Sequence, residues 1–178
     1  MSVEAPTPDE IETLRTDARG GDMDAQNALG VYLNVGLGVP QDSKEAVAWL
    51  TKAAKAGHPQ SARELGLCYA HGCGVPQDHE AATKWLGQSA NERFVEAMTP
   101  LAGVLIVQAE ESGDEDLLVE AAKWLMIAGW FGDLSATRYL LSAHEHVVAQ
   151  GYEDALEQIE RAHEQAREFI LSPRGNVH

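Results

Sequence analysis

A self-similarity at a fixed offset of 36 residues constrains this chain more than any other feature of its sequence. Residues 24–57 read DAQNALGVYLNVGLGVPQDSKEAVAWLTKAAKAG and residues 60–93 read QSARELGLCYAHGCGVPQDHEAATKWLGQSANER. The offset superposes Leu29-Gly30 on Leu65-Gly66 and Gly36-x-Gly38-Val-Pro-Gln-Asp42 on Gly72-x-Gly74-Val-Pro-Gln-Asp78. It also superposes Ala46 on Ala82 and Trp49-Leu50 on Trp85-Leu86. A unit this short cannot bury its own apolar face, so it must stack on its copies.

The third copy is degenerate. Ala97 and Leu101-Ala102 lie 36 residues beyond Ser61 and Leu65-Gly66, whereas Trp124-Leu125 lies 39 beyond Trp85-Leu86. About three residues are therefore inserted around Glu110 to Asp116. A fourth pair begins at Gly132, because Gly132 and Leu140 lie 75 residues beyond Gly57 and Leu65.

Each unit reads as helix, loop, helix. Ala25, Ala28, Leu29 and Leu33 recur at helical spacing and form one apolar stripe. The Gly-x-Gly-Val-Pro stretch ends that helix, since glycine accepts the left-handed backbone past a helix end and proline cannot continue a helix. Asp42 and Asp78 then suit the N-cap of the next helix, with negative charge at its positive end. Ala46, Trp49, Leu50 and Ala53 share one face of that helix, and Gly57 closes it.

These signals predict an opening helix near Pro8 to Arg19, helix pairs at roughly 22–56, 60–90 and 95–130, and closing helices near 134–149 and 153–171, with no strands. The expected fold is all-α: a right-handed α/α solenoid of about three to four helix-loop-helix repeats with a closing C-terminal helix. The expected organisation is one array over 1–178. It comprises an N-terminal helix (1–21), repeat 1 (22–57), repeat 2 (58–93), a degenerate repeat 3 (94–131), capping helices (132–171) and a tail (172–178).

The shared string Leu-Gly-x-x-(Tyr)-x-x-Gly-x-Gly-Val-Pro-x-Asp-x-x-x-Ala-x-x-Trp-x-x-x-Ala resembles the Sel-one-like repeat family, relatives of the tetratricopeptide repeats with a longer loop inside each pair. The segment from Trp124 through Gly132-Asp133 to Ala166 is similar to the closing segment many members carry. The chain departs from the pattern in three places. Leu33 stands where repeat 2 has Tyr69, repeat 3 lacks the glycine loop, and Pro100 falls where a first helix should be running. Thr99-Pro100 reads either as an N-cap and first helical residue of a late helix, or as a kink. The resemblance implies a binding scaffold whose concave surface holds a protein or peptide. It also implies a second possibility, lactam-binding or lactamase-like activity, described for a cysteine-rich subgroup whose paired cysteines this chain lacks.

Charge narrows the partner. The 28 acidic against 13 basic residues leave a formal charge of −15, which excludes phosphate-rich surfaces: no nucleic acid and no membrane insertion are expected. No apolar run approaches a bilayer span, and MSVEAPTPDE at the start carries no secretory pattern, so a cytoplasmic setting is expected.

Candidate chemistry is sparse. Cys68, His71, Cys73 and His79 have metal-like spacing, but the aligned residues of repeat 1 are Tyr32, Val35, Leu37 and Ser43, so structural roles are expected and no metal or cofactor. His144 and His146 sit two apart on a helix, a poor chelating geometry. No serine or cysteine lies in an activated context, no catalytic residue is assigned, and the chain is expected not to be an enzyme. Of the tryptophans at 49, 85, 124 and 130, the first three hold one repeat position and are expected in the core. On that basis Trp49→Ala or Trp85→Ala should each cost roughly 3–5 kcal/mol.

By the tetratricopeptide geometry, the non-core positions of each first helix should line the groove. The residues expected to bind a partner are Asn27, Val31, Asn34, Arg63, Leu67, His71, Thr99, Arg138 and Ser142, with Asp24, Gln60, Glu96, Ile106 and Glu145 at neighbouring positions. The sequence thus predicts a non-enzymatic adaptor for an unidentified protein or peptide. The alternatives are an enzyme or small-ligand or metal binder around Cys68, His71 and Cys73, or an oligomerising regulatory module.

Overall fold

The computed structural model describes residues 5–140 and 153–172, and the regular structure among them is helical throughout. The helices are α1 (Pro8–Gly20), α2 (Met23–Val35), α3 (Ser43–Lys55), α4 (Pro59–His71), α5 (His79–Asn91), α6 (Met98–Ser112) and α7 (Glu115–Trp130). Residues 134–140 are helical and are termed α8, and α9 spans Glu153–Leu171. The part of the expected 134–149 helix beyond residue 140 lies outside the described residues.

The chain divides into two compact units, Met1–Glu92 and Arg93–His178. In the first, α2 packs on α3 and α4 on α5, with α1 against α2 and α3 against α4. In the second, α6 packs on α7 and α7 on α9. The fold is an all-helical α/α repeat.

The repeated loop accounts for each of its residues. Gly36 and Gly72 end α2 and α4 with left-handed φ values of 75° and 73°. The Gln41 and Gln77 side-chain amides donate to the Asn34 and Ala70 carbonyls at 2.8 Å, satisfying acceptors the helix end leaves open. The Asp42 and Asp78 backbone N–H groups return to the Leu33 and Tyr69 carbonyls at 2.9 and 3.0 Å. Their carboxylates then cap α3 and α5 by accepting from Glu45 N and Ala81 N. The second glycine of each loop does more than end a helix. A Cβ on Gly74 would lie 2.1 Å from the Ser43 carbonyl oxygen, and one on Gly38 would lie 2.8 Å from that of Pro6. The second glycine of each loop lets the backbone of the preceding segment pass.

The paired helices approach closely for a similar reason. A Cβ on Gly30 would meet Leu50 Cγ at 2.7 Å, and one on Gly66 would meet Leu86 Cγ at 2.6 Å. Leu29, Leu33, Ala46 and Trp49 form one buried cluster, and Leu50, Ala54, Ala62, Leu65 and Cys68 the next. Trp49 and Trp124 are core residues, and their indole N–H groups donate to Glu45 and Glu120 one turn earlier, at 3.1 and 2.7 Å. Trp85 corrects the expectation that all three repeat tryptophans are equivalent: it is only half-buried, packed against the second cluster. Its position one turn earlier is Ala81, which has no side-chain acceptor for the indole.

The third pair departs where the sequence does. Thr99 is not an N-cap, and α6 begins before Pro100. A 3-10 turn over Val95–Ala97 leads into α6, which places Pro100 third in the helix, where its missing N–H would have had no intrahelical partner. The glycine loop is replaced by Gly113-Asp114 alone. From the cap Asp114 to Trp124 is ten residues, against seven from Asp42 to Trp49, so the three inserted residues lengthen the start of α7.

Arg93 secures α9. It is the described non-glycine residue with positive φ, 62°, and its guanidinium donates to the Phe169 carbonyl at 2.8 Å and to Ser172. The guanidinium also lies 4.9 Å from the Phe169 ring, which stands edge-on to Trp124 at 5.2 Å. A cation on the last carbonyls of a helix satisfies its open acceptors and its dipole together.

Candidate partner-binding surface

The predicted surface residues divide between the two units. In Met1–Glu92, Val31 and Asn34 lie one turn apart on α2, and Arg63, Leu67 and His71 lie at successive turns of α4. Val31, Asn34, Arg63 and Leu67 are half-buried and His71 is exposed. Neither Val31 nor Leu67 belongs to the two buried clusters described above. In Arg93–His178, Thr99 and Ile106 are half-buried on α6 and Arg138 is exposed on α8. Ser142, Glu145, His144 and His146 lie outside the described residues.

Asn27, Arg63 and Thr99 hold one repeat position, and the structure puts it to another use. Asn27 is buried, and its amide oxygen accepts from Ser61 Oγ at 2.9 Å, joining α2 to α4. Thr99 Oγ1 donates to Asp133 Oδ2 at 2.6 Å, joining the start of α6 to the start of α8. Arg63 is paired with Glu64 beside it. Two of the three are hydrogen-bonded ties between successive helix pairs, because each sits level with the N-terminal turn of the next first helix. Thr99 in turn holds the Asp133 carboxyl below the usual carboxylate range.

One arrangement absent from the sequence expectations has the outline of a nucleophilic triad. Asp24 Oδ1 lies 3.0 Å from His58 Nε2, and His58 Nδ1 lies 2.8 Å from Ser61 Oγ. Its local geometry gives it a different role. Ser61 is completely buried, its hydroxyl donates to Asn27, and its backbone N–H donates to His58 Nδ1 at 3.1 Å. The imidazole is the N-cap of α4 and the serine an interhelical tie; a nucleophile sealed from solvent meets no substrate.

The cysteine region behaves as core. Cys73 N donates to the Cys68 carbonyl at 2.9 Å as the chain turns at Gly72, and Cys73 packs against the cluster containing Cys68. Burial pushes the Cys68 thiol up to about 11, with Cys73 and Glu64 adding to the effect, so the thiolate that metal binding or attack requires is disfavoured. Among the described residues no three His, Cys, Asp or Glu side chains converge as a metal site. No described helix is long and apolar enough to cross a membrane.

An exposed apolar turn was missed. Trp130, Phe131 and Leu134 lie at the junction of α7 and α8 and are all exposed. The signal was available: Trp130 stands where the earlier pairs have Lys55 and Asn91, so it does not share the role of the repeat tryptophans.

Comparison with known proteins agrees with this architecture. The family model described as Sel1 repeat matches residues 24–58 and 59–93. The crystal structure of a Sel1 repeat protein from Oxalobacter formigenes is similar at 30% identity and a TM-score of 0.59, over 74% of this chain and 97% of that one. The crystal structure of c5321, a protective antigen of uropathogenic Escherichia coli strains with an SLR fold, is similar at 26% identity and a TM-score of 0.70. That match takes in 95% of this chain but 37% of the antigen's, so this chain corresponds to little more than a third of it. No curated protein matches the sequence. With two tandem repeats matched, and a relative at 30% identity matched over almost its whole length, the chain belongs to the Sel1 repeat family.

Proposed function

We propose that the chain is a non-enzymatic adaptor that holds a partner protein or peptide against the first-helix surface of Met1–Glu92. The observation that carries this reading is the pair of half-exposed apolar side chains Val31 and Leu67 on the neighbouring helices α2 and α4. Both lie outside the two described buried clusters and are bordered by Asn34, Arg63 and His71. Apolar contacts flanked by an amide, an imidazole and a guanidinium suit an extended segment that needs both burial and hydrogen bonds. A cytoplasmic setting is part of the same reading, supported by a cysteine count too low for a disulfide framework.

The test is affinity capture from lysate of the source organism, comparing wild type with a Val31→Ser, Leu67→Ser double variant of matched melting temperature. A partner retained by the wild type and lost by the variant is the expected result. Equal retention by both proteins would move the interface off α2 and α4 and overturn the assignment.

A further inference from the structure

The turn joining α7 to α8 carries an apolar cluster that neither the core nor the proposed first-helix surface uses. Trp130 is 72% exposed, Phe131 45% and Leu134 80%. The two aromatics replace Lys55-Ala56 at the end of α3 and Asn91-Glu92 at the end of α5, so the repeat itself does not demand them. The backbone that presents them is held on both sides. Phe131 N, Gly132 N and Asp133 N donate to the carbonyls of Ile127, Gly129 and Ala128 at 3.0–3.1 Å. Asp133 caps α8 by accepting from Ser135 N at 2.8 Å and also accepts from Thr99. Two aromatics and a leucine offered on a fixed turn lose little conformational freedom when covered, the property of an interface anchor.

The unit that carries this turn is acidic. Residues 93–178 contain fifteen Asp and Glu against six Lys and Arg. The Thr99–Asp133 bond sets the turn beside the start of α6, where Glu96 is exposed. We propose that this turn is a docking site for a basic amphipathic segment of a partner protein. Apolar side chains of that segment close over Trp130, Phe131 and Leu134, while its lysines and arginines answer Glu96 and the acidic excess of this unit. Arg138, exposed one turn beyond Leu134 on α8, gives a local contact for an acid on the same segment.

The experiment titrates the full chain against a fluorescein-labelled amphipathic helix of leucine and lysine, followed by anisotropy and by tryptophan emission. A leucine and glutamate peptide is the control. Saturable binding of the basic peptide alone is expected, weakening as salt rises from about 0.05 to 0.3 M. A Trp130→Ser, Phe131→Ser variant, which alters only exposed side chains and should melt like wild type, is expected to bind about tenfold or more weakly. Trp130→Phe should keep the affinity and lose the blue shift in emission, and Val31→Ser, Leu67→Ser should bind as wild type, which separates this site from the first-helix surface.

Equal affinity for wild type and the Trp130→Ser, Phe131→Ser variant would overturn the proposal. So would a tryptophan at this turn already shielded from acrylamide in the free chain. A mass that rises with concentration in wild type and not in the variant would assign the turn to a second copy instead, and variant-sensitive partitioning onto phosphatidylcholine vesicles would assign it to lipid.

Discussion

Glycine occupies two kinds of helical position in this chain, and only the surroundings tell them apart. At Gly66 a Cβ would lie 2.6 Å from Leu86 Cγ, a branch point inside a buried side chain that cannot swing away, whereas at Gly87 nothing lies within 4 Å. Gly66→Ala should therefore destabilise by about 1–3 kcal/mol through overpacking, against the helix preference of alanine. Gly87→Ala should stabilise by up to about 1 kcal/mol from that same preference. Urea unfolding of both variants checks the pair, and shifts in the same direction would contradict it. The repeat marks Gly66 as special in the sequence, but its reason, Leu86, belongs to the partner helix. The same limit explains why Asn27 and Thr99 tie helices together instead of lining an open surface. They align with Arg63 at one position, yet the first two are set by Ser61 and Asp133 across the packing, whereas Arg63 pairs with Glu64 beside it.

At the scale of helices, single side chains decide how one element sits on the next. Arg93 from before α6 caps the far end of α9, a contact across 76 residues that no local pattern announces. Arg93→Ala should cost about 1.5–3 kcal/mol, the range for hydrogen bonds to a charged group. It should also speed amide exchange in the last turn of α9 before that in α6. Uniform exchange across both helices would sink this role.

Arg15 of α1 donates to Glu45 of α3 at 2.7 Å, and the Trp49 indole donates to the same carboxylate. The Arg15 bond first, then Trp49, holds the Glu45 carboxyl below its ordinary value of 4.5. A depressed folded pKa means the stabilisation is complete above the unfolded value and is lost as pH falls through the folded one. Stability should thus decline below about pH 4.5, in part through this group. Glu45→Gln should be less stable at pH 7 and show a shallower acid limb in melting temperature against pH; an unchanged acid limb would contradict the assignment. Asp133, held low by Thr99, acts in the same direction from the second unit. The caps Asp42 and Asp78 were legible from local chemistry alone, because an N-cap needs only its own following turn.

For the whole molecule, charge and repetition act at different ranges. A net charge of −15 is a property of the sum, and it should keep the chain from retarding duplex DNA in a gel at about 0.15 M salt. Retardation under those conditions would overturn the exclusion of nucleic acid.

Helix content, the order of the pairs, the caps and the family were determined by the sequence alone. Each depends on residues within one turn of one another, or on the identity of two copies 36 apart. Tertiary structure alone decided the rest. It left Trp85 half-buried where Trp49 is buried, turned an Asp–His–Ser line into a helix cap and a tie, and placed Thr99 on Asp133. It also left Trp130 and Phe131 open to solvent. Burial and hydrogen bonding between helices depend on which atoms face each other across the packing, and residues 30 to 80 apart in sequence become neighbours only when the helices pack.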